Sequence, residues 1–177
     1  MEDIYLGNPL LKKANVAQEF TQEQILEFMA CKQDPVYFAK RHVKIVSLDE
    51  GLVPFEPYDF QEKLINNFHE NRFNICKMPR QTGKSTTSVS YLLHYAVFND
   101  NVNIGILANK AATARDLLGR LQTAYENLPK WMQQGIISWN KGSLELENGS
   151  KILAASTSAS AVRGMSFNIL FLDEFAF

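Results

Sequence analysis

Met78-Pro79-Arg80-Gln81-Thr82-Gly83-Lys84-Ser85-Thr86 is the stretch on which the fold turns. The apolar run FNICKM (73–78) precedes it at strand length, and KSTTSVSYLLHYAVF (84–98) follows it as a helix. Strand, loop and helix in that order are the setting a phosphate-binding loop requires. Gly83 lets the backbone turn so that N–H groups point at phosphate oxygens. Lys84 offers a point charge to β and γ phosphates, and the Ser85 hydroxyl offers a ligand to Mg²⁺. The helix adds its positive N-terminal end. The general pattern G-x-x-x-x-G-K-[ST] wants glycine at position 78, where this chain has Met78. A bare G-K-[ST] arises by composition in roughly one chain in ten of this length, so the weight rests on what surrounds it.

Outward from the loop, helices and strands alternate. YDFQEKLINNFHENR, from Tyr58, places Phe60, Leu64 and Phe68 on one helical face. VNIGILA (102–108) reads as a buried strand and Ala111 to Leu128 as a helix ended by Pro129. SLELENGSKIL alternates around Asn148-Gly149, a pair suited to the two left-handed residues of a hairpin turn. NILFL (168–172) is the last strand. Such alternation predicts an α/β fold with a mostly parallel sheet and helices on both faces. The first 55 residues read as a small, mostly helical lead-in. Thr21 to Gln24 form a capping box, Asp34-Pro35 an N-cap with proline behind it, and VKIVSL a short strand. Residues 56–177 are then the first part of a nucleotide-binding domain. The chain stops three residues past Asp173-Glu174, before a helix can cover the last strand, and so reads as a fragment.

That acidic pair ends an apolar strand, Ile169 to Leu172. Downstream of a phosphate loop, Asp173 is placed to hold Mg²⁺ and Glu174 to orient and activate an attacking water. Two arginines are candidates for neutralising γ-phosphate charge: Arg80 within the loop and Arg163 in the small-residue segment before the last strand. Phe60-Gln61 offers a ring to stack on adenine and an amide to read its edge, with core packing an equally good account of Phe60.

Bulk properties narrow the classes. Of 177 residues, 46% are apolar and 21% charged, enough for one real core. The net charge of −1 gives no support to a dedicated nucleic-acid module, although a motor can use a few local basic residues. Lys110, Arg115 and Arg120 read as an ordinary solvated helix face, and Trp131 and Trp139 as core or sheet anchors. Cys31 and Cys76 are too isolated for a disulfide scaffold or metal cluster, with Cys76 read as a small buried thiol. His42, His69 and His94 show no metal-ligand spacing. The N-terminus is no signal peptide, and no stretch reaches membrane-spanning length.

The strings MPRQTGKSTT, NKAATARDLLGRLQTAYENLP and GIISWNKGSLELENGSKILAASTSASAVRGMSFNILFLDEFAF resemble the large terminase subunit of myovirus-type tailed bacteriophages. The resemblance runs from about Asp34 to the end and also touches LGNPLLKKANV. That family's loop lacks the first glycine and carries Arg-Gln, as Arg80-Gln81 do. The resemblance implies an additional-strand, RecA-like P-loop ATPase using ATP and Mg²⁺. The loop from Arg80 through Gln81, Thr82, Gly83, Lys84, Ser85 and Thr86 would hold the phosphates, with Phe60-Gln61 at adenine. Ser85 and Asp173 would hold the metal, with Glu174 as catalytic carboxylate. Arg80 and Arg163 both remain open as the finger. It implies translocation of double-stranded DNA by a homo-oligomeric ring at the portal protein of a prohead, with a small terminase subunit as partner, in the host cytoplasm and with no membrane. The family's coupling motif and nuclease domain lie outside the chain, so the fragment is expected to be inactive alone. Two other readings stand beside this one: a superfamily-2-type helicase or translocase, and a non-catalytic nucleotide-binding fragment.

Overall fold

The computed structural model describes residues 3–47, 49–158 and 164–174. The lead-in opens with a hairpin, β1 (Ile4–Tyr5) and β2 (Asn8–Lys12), and continues through α1 (Gln22–Gln33), α2 (Pro35–His42), β3 (Lys44–Ser47) and β4 (Gly51–Pro54). Then come α3 (Asp59–Glu70), α4 (Lys84–Phe98), β5 (Asn103–Ala108), α5 (Ala111–Glu126), β6 (Ile136–Trp139), β7 (Ser143–Leu146), β8 (Lys151–Ser156) and β9 (Ile169–Asp173).

Local chemistry sets the helix starts. Thr21 and Gln24 form the reciprocal capping box, with Oγ1 accepting at 3.2 Å and Gln24 Oε1 accepting at 3.0 Å. Asp34 Oδ1 accepts from the N–H groups of Val36 and Tyr37 at 2.8 and 2.9 Å, and Pro35 fills the first position of α2. The lead-in is less helical than its sequence suggests, because two small antiparallel sheets, β1–β2 and β3–β4, share it with the helices. Gln133 ties the first hairpin to the rest of the chain. Its Oε1 accepts from Lys12 N–H at 3.1 Å and its Nε2 donates to the Leu10 carbonyl at 3.0 Å.

Five strands form the main sheet in the order β6-β7-β8-β5-β9. β5 pairs in parallel with β8 and β9, whereas β7 pairs antiparallel with β6 and β8. The sheet is therefore mixed and not mostly parallel. The Asn148-Gly149 turn is the cause: it reverses the chain directly, and direct reversal makes neighbours antiparallel. Gly149 sits at φ 79°, and a Cβ there would come within 2.2 Å of Asn101 Oδ1. α5 packs on β5 and β8, and α4 packs on α5. The other face of β9 is less covered: Leu170 is 48% and Leu172 36% exposed. Among the described residues, helices on both faces are thus not seen along β9.

The run 73–78 forms no strand. Its apolar content suggests a buried strand, yet Phe73 and Ile75 lie open to solvent and no ladder takes up its backbone. Cys76 is accordingly half-buried and not a core thiol.

The core gathers along α4, where Val89, Leu92, Leu93, Ala96, Val97 and Phe98 meet Ile104 and Ile106 of β5, Leu117 and Leu121 of α5, and Phe38 and Cys31 of the lead-in. His94 lies in the same core, with rings of Phe38 at 5.5 Å and Phe98 at 4.9 Å and its Nε2 2.8 Å from the Cys31 carbonyl. The ring donates there and is neutral, because burial pulls its pKa from 6.5 to about 4. The folded state resists protonation that the unfolded chain accepts, so stability held above pH 6.5 falls as pH drops toward 4. A shift of that size is worth about 3 kcal/mol. Chemical denaturation across this window should show the loss, and His94→Gln should flatten its pH dependence; an unchanged slope in the variant would place the acid sensitivity elsewhere.

Candidate nucleotide site

The site forms where α4 begins. α4 is buried nearly all round from Thr87 to Phe98, so its first turn is fixed by the core. The hydroxyls it buries near that end turn back onto its own backbone, Thr87 to the Gly83 carbonyl at 2.9 Å and Ser88 to the Lys84 carbonyl at 3.0 Å. No side chain caps the N-terminus. The opening N–H groups of the helix are unpaired within it and available to an anion.

The loop before it is shaped by two left-handed residues, Gln81 at φ 61° and Gly83 at φ 74°. Left-handed backbone is unusual for a non-glycine residue and gathers at functional sites. Gly83 is required twice over, since a Cβ there would also lie 2.4 Å from Gln61 Nε2. Thr82 closes the turn by donating its hydroxyl to the Pro79 carbonyl at 3.0 Å. Arg80 and Gln81 are exposed, whereas Thr82, Gly83, Lys84, Ser85 and Thr86 are half-buried.

Gln61 joins α3 to this loop. The residue is buried; its Oε1 accepts from Tyr58 N–H at 2.9 Å and its Nε2 donates to the Thr82 carbonyl at 3.1 Å. Both ends of its amide are therefore engaged by the protein, a positioning role that the sequence does not reveal. Phe60 is half-exposed and stacks on Tyr58, with ring centroids 5.8 Å apart and 11° between planes.

Asp173 ends β9 opposite the start of α4. It is only 7% exposed. Burial raises its pKa, the nearby charge of Glu174 adds to the rise, and the Lys84 ammonium opposes it. Lys84 is thus within electrostatic reach of the carboxylate. Glu174 is exposed and left-handed at φ 50°. The structure brings together Gln61, Thr82, Gly83, Lys84 and Asp173, with Arg80, Ser85 and Glu174 on the adjoining chain. Arg163 lies outside the described residues. Away from the site, Arg120 pairs with Asp116 at 3.0 Å on the exposed face of α5, and Trp131 and Trp139 pack against the core.

The Asp173 carboxylate and the Ser85 hydroxyl are oxygen ligands of the kind a small hard cation takes, and the uncapped start of α4 with Lys84 fits an anion. The model of the family described as terminase large subunit, T4-like-virus type, N-terminal, matches residues 75–177. That is more than half of the chain, and the chain belongs to this family of bacteriophage proteins. The large terminase of bacteriophage HK97 has a similar fold, with a TM-score of 0.64 at 20% identity, over 80% of this chain and 30% of that one. The chain thus spans less than a third of the length of that terminase. No described helix is long and apolar enough to cross a membrane.

The raised pKa of Asp173 carries a stability consequence. Holding the charged form in the fold costs free energy at neutral pH, where the unfolded chain ionises it freely. Asp173→Asn should therefore raise the thermal midpoint at pH 7 in metal-free buffer; a lowered midpoint would mean that the carboxylate is satisfied by its surroundings.

Proposed function

We propose that this chain is the nucleotide-binding front of an ATP-driven motor that moves double-stranded viral DNA into a prohead, with a RecA-like P-loop core. The observation that carries the reading is the loop before α4: Gln81 and Gly83 take left-handed backbone, Gln61 holds the Thr82 carbonyl at 3.1 Å, and the loop leads into an uncapped helix start at Lys84, whose charge reaches buried Asp173 at the end of β9. Hydrolysis at a phosphoanhydride needs positive charge on the phosphates and a carboxylate for the cation in one place, and these two elements supply both.

In this reading the α4 N-terminus and the loop N–H groups cradle the phosphates, and Lys84 reaches the β and γ oxygens. Ser85 and Asp173 would hold Mg²⁺, which would supply charge neutralisation to the phosphates. Glu174, exposed beyond the strand end, orients the attacking water and takes up its proton. Arg80 from the loop, or Arg163 from a neighbouring subunit, offsets the charge that develops on the γ phosphate. Gln61 holds the loop from behind through Thr82, and Phe60 with Tyr58 offers a stacking surface for adenine. A ring of such subunits at a portal, with a small terminase subunit delivering DNA in the host cytoplasm, is the assembly this family membership favours. Residues 1–55 form a lead-in to this domain, and the nuclease activity of such a protein belongs to a region beyond these residues.

Two variants separate binding from turnover. In the complete large terminase, Lys84→Ala should weaken binding of a fluorescent ATP analogue at least tenfold, as expected for loss of a charged phosphate contact worth about 1.5–3 kcal/mol. Glu174→Gln should bind the analogue normally and lose hydrolysis by about a hundredfold or more, the usual contribution of a general base. Near-normal turnover in either variant would remove the site assignment. Binding without hydrolysis in the unmodified protein would favour a non-catalytic nucleotide module.

A further inference from the structure

The lead-in brings three metal-ligating side chains to one point. Glu27 and Cys31 lie one turn apart on α1, and His42 is the last residue of α2. Their ligand atoms all fall within 4.8 Å of one another, the one group of three or more such residues to do so among the described residues. Glu27 Oε1 is 2.7 Å from His42 Nε2 and 3.8 Å from Cys31 Sγ. We propose that Glu27, Cys31 and His42 form a binding site for one thiophilic divalent cation of the zinc class, with water as the fourth ligand.

The geometry is close to what such an ion needs. Ligands at about 2.0–2.3 Å around a tetrahedral centre stand about 3.3–3.8 Å apart. The sulfur and the carboxylate are already at that spacing. The imidazole has to withdraw from the carboxylate by about half an ångström, a small change of side-chain torsion. A thiol, an imidazole and one carboxylate oxygen also suit zinc by their chemistry, whereas Mg²⁺ and Ca²⁺ require oxygen ligands throughout.

The surrounding groups orient these ligands. The Tyr37 hydroxyl donates to the other carboxylate oxygen, Oε2, at 2.9 Å, which leaves Oε1 turned toward Cys31 and His42. Ligating carboxylates are commonly held in this manner. The His42 ring is set edge-on to Trp131, with centroids 6.1 Å apart, and tilted over Phe38 at 6.4 Å. Cys31 is wholly buried and His42 and Glu27 half-buried, so the ion would sit at the rim of the core with an entry path from solvent. Arg41 opposes the ion, with Nε 3.7 Å from Glu27 Oε1, but its side chain is 66% exposed and can turn into water. On binding, the Cys31 thiol gives its proton to solvent and ligates as thiolate.

Cobalt titration of the purified chain tests the proposal, with Co²⁺ as the spectroscopic stand-in. The expected result is one equivalent of Co²⁺ giving a thiolate-to-metal charge-transfer band, displaced by Zn²⁺, and a thermal midpoint that rises with Zn²⁺. The band should vanish in Cys31→Ser and persist in Cys76→Ser. Because Cys31 is buried, His42→Ala provides a second reading at a half-exposed residue: affinity should fall at least tenfold, since even groups that only orient a ligand contribute about 10–100-fold. Absence of the band would overturn the proposal and leave the cluster as a metal-free hydrogen-bonded latch. A band that survives Cys31→Ser but not Cys76→Ser would also overturn it, placing the ion beside the 73–78 segment.

Discussion

Burial of α4 along almost its whole length is the constraint from which the candidate site follows. Eleven of its residues, from Thr87 to Phe98, are buried, with α2, α3 and α5 packed against it. A helix enclosed on all sides cannot rotate or slide without opening voids, because protein interiors are packed to near-crystalline density. Its N-terminus is therefore a fixed point, and the loop that precedes it inherits that position. Gln61 adds a second anchor through the Thr82 carbonyl. β5, which packs against α5, carries β9 in parallel register and so brings Asp173 level with Ala108 at the end of that strand. The start of α4 with Lys84 and the end of β9 with Asp173 are fixed because helix and strand are both held by the same core.

The parts of this arrangement that were legible in sequence are those with local causes. Gly83-Lys84-Ser85 starts a helix at Lys84 because glycine supplies the left-handed turn, and Asp34-Pro35 starts another because the aspartate caps and proline tolerates the first position. The Asn148-Gly149 reversal was equally readable. What failed to be legible depends on contacts distant in the chain. The 73–78 run has the composition of a buried strand, yet a strand needs a neighbour to accept its backbone hydrogen bonds, and composition cannot name one. The parallel character of the sheet was overstated because each hairpin connection adds antiparallel neighbours, whatever the strand content.

Side-chain roles followed the same division. Lys84 and Asp173 stand where the motifs place them, at the start of α4 and the end of β9. The hold of Gln61 on Thr82 spans 21 residues, and no spacing rule announces it. Glu27, Cys31 and His42 escaped for a similar reason: Glu27 and Cys31 are one helical turn apart, but the turn at Asp34 folds α2 back to deliver His42 to them. Arg163, singled out beside Arg80, falls outside the described residues. The acidic pair gained a feature that sequence gave no sign of, the left-handed backbone at Glu174, which sets this carboxylate apart from the buried Asp173 before it.

The most direct test of the account is a crystal structure of the protein with a non-hydrolysable ATP analogue and Mg²⁺. The account predicts the phosphates at the N-terminus of α4 against Lys84, and one Mg²⁺ held by the Ser85 hydroxyl and Asp173 directly or through water. A nucleotide bound elsewhere, or phosphates at the loop with the metal remote from Asp173, would contradict it.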